Sequence, residues 1–234
     1  MGVGLSVPKL EYLRWYNKYT LSFDGANDYM TMDDAAENMD KDQGVVSLWV
    51  KLDATSSNGV MFKASVDADN LISIAYNNSA AEIQMTYRAD GTSKVANASF
   101  DKEGTDTWHH VAIVWNTTSD FVKGYVDGTR IETVTSLGTW AGTIDKVYAG
   151  RNTLAASSYH AGHIDSIAIF SKSQDDEEIV TLYNNGKPND LTRYSNLIGY
   201  WRMDEGTGTA VLGKSTNSIE AQLIHAPAWT TDVP

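Results

Sequence analysis

From Thr20 onward the chain alternates apolar and polar residues with a period of two, interrupted at short intervals by polar turns. That rhythm predicts strands with one buried face. In VVSLWVKL, Val46, Leu48, Val50 and Leu52 fall on one side and Trp49 on the other. Leu21 and Phe23 share a face, and Asp24-Gly25-Ala26-Asn27 then turns the chain into Tyr29 to Met32. GVMFKAS, NLISIAY and EIQMTYR follow closely, as in an antiparallel meander. In TWHHVAIVW, His110, Ala112 and Val114 alternate with His109, Val111, Ile113 and Trp115. The adjacent histidines therefore face opposite ways and cannot act on one atom. FVKGYV and RIETV flank Asp127-Gly128, a dipeptide suited to a tight hairpin because glycine accepts positive φ.

One stretch has the helical period instead. SQDDEEIVTLYNNG predicts a helix over 173–186, capped by Ser173 with Asp176 as its capping-box partner. Asp175 to Glu178 put negative charge at the N-terminal end of the macrodipole. Ile179, Leu182 and Tyr183 form its buried stripe, and Gly186 offers a stop. Alternation resumes over 197–234, and no shift of composition marks a second domain. The pattern predicts one all-β unit over 20–234, built of antiparallel sheets that each bury one face, with a single helix. Residues 1–19 stand apart: Tyr12, Trp15, Tyr16 and Tyr19 crowd a segment that suits either a helix or strand packed on its own domain or an anchor docked on a partner.

The totals narrow the chemistry. Cysteine is absent, so neither disulfides nor thiolate chemistry is available. A net charge of −12 and a pI of about 4.7 argue against nucleic acid as a partner. No apolar run reaches the roughly 18 residues of a membrane helix, and the first residues lack a signal-peptide pattern.

Several segments, in order, resemble the laminin-G-like, concanavalin-A-like jelly rolls, a superfamily that includes pentraxins and carbohydrate-binding modules. They are LSFDGANDYMTM, VVSLWVKLD, TWHHVAIVW with YVDGTRI, and VYAGRN with YHAGHIDSIAIF and the SQDDEEI helix start. The resemblance runs from Thr20 to about Gly186 and implies an all-β, two-sheet antiparallel jelly-roll sandwich with one short peripheral helix. GYWRMDEGTGTAV resembles an element that in many members precedes the opening strand, so the order looks circularly permuted. A jelly roll accommodates this because its first and last strands lie side by side. Ala226-Pro227-Ala228-Trp229 would then close the sheet at an edge.

The resemblance implies a structural calcium site at Asp24 and Asp165 with Asn27 or Asp28 as helper, and calcium accepts such mixed oxygen donors. In HIDSIAIF, alternation puts Asp165 on the face of Ile167 and Ile169, where a carboxylate needs a compensating partner. Sugar binding in this superfamily uses aromatic platforms and Asx side chains, which points to Trp140, Tyr159, Tyr76 and Asn77. Trp140, between the turn residues of GTWAGT, is expected to be exposed, whereas Tyr87 shares a face with Ile83 and Met85 and is expected in the core. Glycosidase chemistry needs paired carboxylates, and no Glu-x-Asp-x-Glu strand exists here. The expectation is a non-enzymatic virion-surface protein: a phage capsid decoration, fibre or adhesion subunit. It would be multivalent, attach to other virion proteins through residues 1–19, and make weak glycan contacts. The permuted ending also resembles phage structural proteins. A bacterial lectin module, acting extracellularly, and a purely structural capsid cement are the alternatives.

Overall fold

The structure, a computed structural model, describes residues 17–53, 57–100 and 107–234. Two antiparallel sheets form a jelly-roll sandwich. Across the first sheet run β10 (Thr129–Val134), β9 (Phe121–Val126), β8 (His109–Asn116), β3 (Gln43–Leu52), β12 (Ala161–Phe170), β1 (Thr20–Asp24) and β16 (Ala228–Thr230). β13 (Leu197–Trp201) pairs with the far half of β12. Across the second run β14 (Ala210–Val211), β15 (Ala221–Ile224), β2 (Tyr29–Thr31), β11 (Lys146–Ala149), β4 (Gly59–Ser65), β5 (Leu71–Asn77), β6 (Glu82–Ala89) and β7 (Thr92–Ser99).

The predicted inward faces meet in one core. Leu21, Phe23, Val46, Leu48, Val50, Val111, Ile113 and Trp115 from the first sheet pack with Ile72, Ile74, Ile83, Met85 and Tyr87 from the second. All are essentially inaccessible, so truncating one of the aliphatics to alanine costs about 2–5 kcal/mol. The Asp127-Gly128 hairpin forms with φ of 49° and 73°, the conformation a two-residue turn requires. The two histidines do point apart. His109 bonds Asp127 through Nδ1 at 2.8 Å, whereas His110 meets the Ser47 hydroxyl through Nε2 at 2.7 Å.

Helix α1 (Asp176–Tyr183) covers the outer face of the first sheet. Ile179 and Leu182 pack with Val45, Ala112, Val114, Tyr125 and Tyr200, and Tyr183 stacks on Trp49 at 5.9 Å. Its cap differs from the expected one. Asp175 is the N-cap and forms a reciprocal capping box with Glu178. Ser173 instead accepts a hydrogen bond from the Asn116 side chain. The helix stops at Asn184, in the left-handed region at φ 49°, two residues before Gly186. A short 3-10 helix, Asp33–Asn38, links β2 to β3 and was not predicted.

The closing segment behaves as a permutation requires. β16 lies antiparallel to β1, with Thr20 opposite Thr230, and β15 extends the second sheet beside β2. One strand departs from simple alternation. The β12–β3 register shifts between Asp165 and Ala168, with Ser166 at φ 50°. This bulge changes the phase by one residue, so Ile164, Ile167 and Ile169 face the core while Asp165 turns to the other face, contrary to the expected grouping.

Candidate functional site

The outer face of the second sheet carries the site. Val147 and Ala149 enter the core, so alternation leaves Tyr148 outside, and Met30 likewise leaves Tyr29 outside. The two half-buried rings sit 5.5 Å apart. After β11, residues 150–160 fold back as a lobe beside β4. The lobe is pinned by bonds from Gly150 N to Met61 O (3.1 Å), His160 N to Gly150 O (2.8 Å) and Val60 N to Ser158 O (2.9 Å). Gly150 starts it at φ +90°, where a Cβ would stand 2.8 Å from the Phe23 ring. Only glycine fits there.

This lobe delivers Arg151. Its guanidinium lies 4.5 Å from the centre of the Tyr29 ring, 5.2 Å from Tyr148 and 5.9 Å from Tyr159, within cation–π range of all three. Nε donates to the Asn152 carbonyl at 2.9 Å. Among the described residues no carboxylate comes within ion-pair range of Arg151, and its terminal nitrogens have no protein partner. Lys63, opposite Tyr148 in the β11–β4 register, donates through Nζ to the Asn152 side chain at 3.0 Å. Burial, reinforced by the Arg88 charge, pulls the Lys63 ammonium below the usual lysine range. The arrangement is a shallow platform of three phenol rings around a held guanidinium, with His225 beside Tyr29 at 6.3 Å. Its chemistry suits stacking against a flat or puckered ring and hydrogen bonding at its edge. A groove of about 340 Å³ between residues 38–42 and 142–144 has no aromatic ring in its lining.

A family model described as the concanavalin A-like lectin/glucanases superfamily matches residues 24–180. The chain belongs to this superfamily. A candidate carbohydrate-binding protein of Bacteroides ovatus shares its fold with a TM-score of 0.65 at 13% identity, over 93% of this chain and 60% of that one. The Ruminococcus gnavus IT-sialidase CBM40 bound to α2,3-sialyllactose matches at 0.54 and 15%, over 70% and 97%. The SAP-like pentraxin of Limulus polyphemus matches at 0.55 and 14%, over 86% and 97%. At these identities the likeness is one of fold. Comparison with the curated proteins gives no match.

Of the residues that the superfamily resemblance singled out for sugar contact, Tyr159 is on the platform. Trp140 is not exposed: it is 4% accessible and packs on Tyr87 at 5.5 Å. Its loop folds inward because the Ala141 amide bonds the buried Asn70 side chain at 3.0 Å. Tyr76 is 2% accessible, in line with Ile72 and Ile74 on the core face. Asn77 uses its side-chain oxygen to hold its own turn, accepting from Ser79 and Ala80. Tyr29, Tyr148 and Arg151 were missed. Alternation exposes both tyrosines, but only the fold-back of the lobe brings Arg151 to them.

The expected calcium ligands do not converge. Asp24 Oδ1 accepts the amides of Ala26 (2.8 Å) and Asn27 (3.1 Å), and the Ala26 bond leads in holding that carboxyl below its usual range. β1–β12 pairing sets Asp24 against Ala161, four residues before Asp165, a strand separation of about 13 Å. Asp24 and Asp165 therefore cannot share one ion. Asp165 is fully buried and accepts from Asn17 Nδ2 at 2.7 Å and Ser166 Oγ at 3.2 Å. Burial pushes its carboxyl well above the usual range, against those two bonds. No group of three acidic or histidine side chains suited to a metal occurs among the described residues. Of the docking set, Tyr12, Trp15 and Tyr16 lie outside the described residues, while Tyr19 is half-buried, with Lys18 Nζ 4.8 Å from its ring centre.

Proposed function

We propose that this chain is a non-enzymatic, carbohydrate-binding domain that holds sugar rings on Tyr29, Tyr148 and Tyr159 around Arg151. One observation carries the reading: three half-buried tyrosines surround a guanidinium whose terminal nitrogens have no partner among the described residues. Superfamily membership supports it, as do fold neighbours whose names refer to carbohydrate binding and to sialyllactose. The test is a glycan array probed with the protein and with Tyr148→Ala. Tyr148 faces outward at the sheet surface, so its truncation leaves the core intact. Binding by the parent that falls about tenfold or more in the variant, at unchanged Tm, is the expected result. Binding that is indifferent to Tyr148 contradicts the assignment.

The finer reading is a virion-surface subunit attached through residues 1–19. It rests on the aromatic run Tyr12, Trp15, Tyr16 and Tyr19. Particles should retain the full chain and lose a chain beginning at Thr20. Equal retention of both sinks that reading without touching the sugar platform.

A further inference from the structure

Basic side chains gather at the platform of an acidic protein. The chain carries 30 acidic and 18 basic residues, and the outward positions of β4, β6 and β11 next to the lobe supply Lys63, Arg88 and Lys146, while Asp33 and Asp145 also act on Tyr148. Arg88 is paired with Asp69 at 3.3 Å. Arg151 and Lys63 are not: among the described residues neither has a carboxylate within ion-pair range. Both reach the same residue, Lys63 the side chain of Asn152 and Arg151 its carbonyl. Asn152 supplies both cations with dipoles but no countercharge.

A purely structural role does not account for this arrangement. Stacking on the tyrosines and the Nε bond would pin the lobe, and they use the guanidinium's faces and one of its five N–H groups. The remaining fork matches the spacing of two oxygens on a carboxylate or sulfate, and such paired, charge-assisted bonds are the strong ones. The flanking phenol rings add ring stacking at a set distance from that fork.

We infer that the platform selects acidic sugars: the carboxylate or sulfate of one residue takes the free edge of Arg151, Lys63 adds a second positive charge, and the sugar ring packs on the tyrosines. This rests on the carbohydrate-binding reading and adds to it the charge of the ligand. Carboxylated and sulfated sugars share the recognising chemistry, so the experiment separates them.

The test uses the full chain in titration calorimetry and on an array. The probes are glucuronyl, sialyl and sulfated oligosaccharides, with their methyl-esterified or unsulfated counterparts. The expected result is an acid bound about tenfold or more tightly than its neutral counterpart, with affinity falling as salt rises. Arg151→Gln should remove that preference. Arg151→Lys should keep part of it, because the ammonium retains charge but not the fork. Lys63→Gln should reduce it less. Should Arg151→Gln fail to fold, the acid-against-ester comparison on the parent protein still decides. Equal binding of acid and ester, with Arg151→Gln within twofold of the parent, overturns the charge preference and leaves the lectin reading standing. Failure of every sugar, acidic and neutral, overturns both.

Discussion

Acidifying the protein from pH 7 to pH 4 sets two buried imidazoles against the fold. His110 lies beneath helix α1, 5.4 Å from the Trp49 ring and 6.1 Å from Tyr183, and its Nδ1 has no partner among the described residues. His160 ends the lobe with its ring buried 6.1 Å from Phe23, and its Nε2 is likewise unpartnered among the described residues. Burial pulls each from 6.5 to about 4, against smaller upward pulls from Asp127 on His110 and from the His163 backbone on His160. The unfolded rings take a proton as the pH drops below 6.5, while the folded ones stay neutral until about 4. Their stabilising contribution is therefore complete above pH 6.5 and lost as the pH falls through that window. At about 1.4 kcal/mol per pH unit, each ring accounts for about 3 kcal/mol. Two such losses are a large share of the roughly 5–15 kcal/mol that holds a domain together. Asp165 works the other way: its carboxyl sits above the unfolded value, so its penalty shrinks on acidification. The rings are isolated by comparing the parent with His110→Gln, His160→Asn and the double variant. Urea unfolding at pH 7, 6, 5 and 4 gives the profile. Each substitution should flatten it by about 3 kcal/mol. Profiles that run parallel for parent and double variant refute the reasoning.

Asp165→Asn relieves a buried carboxyl while keeping a hydrogen-bond acceptor for Asn17. It should raise stability at pH 7 by about 1 kcal/mol or more, and the gain should fade near pH 4; a marked loss at pH 7 would mean that the charged carboxylate is needed. Gly150→Ala puts a methyl against Phe23 at positive φ. It should cost about 2 kcal/mol or more and weaken sugar binding along with the lobe, whereas an unchanged melting temperature would show that the lobe is not held as described.

Much of the fold was legible because burial on one face writes a period of two. The inward sets of β3 and β8 and the Asp127-Gly128 hairpin follow from alternation and turn chemistry, whereas the adjacency of first and last strands was implied by the superfamily resemblance. Alternation failed at β12, where the Ser166 bulge resets the phase and no residue type announces it. The helix start was misplaced because Ser173, Asp175 and Asp176 all have capping side chains; the choice was made by Asn116, which occupies Ser173. Trp140 looked exposed from its turn neighbours, but the buried Asn70 draws its loop inward. The platform was half legible. Tyr159 was named and Tyr148 follows from β11 alternation, yet Arg151 acquires its meaning only when residues 150–160 fold back across the sheet.

The central claim is that the outer face of the second sheet, around Arg151, is where sugar binds. Amide chemical-shift mapping during titration with an oligosaccharide that the array identifies tests it most directly. The largest shifts are expected to cluster at Tyr29, Lys63, Tyr148, Arg151, Asn152 and Tyr159. Shifts centred instead on the groove at residues 38–42, or on the helix-covered face of the first sheet, would contradict it.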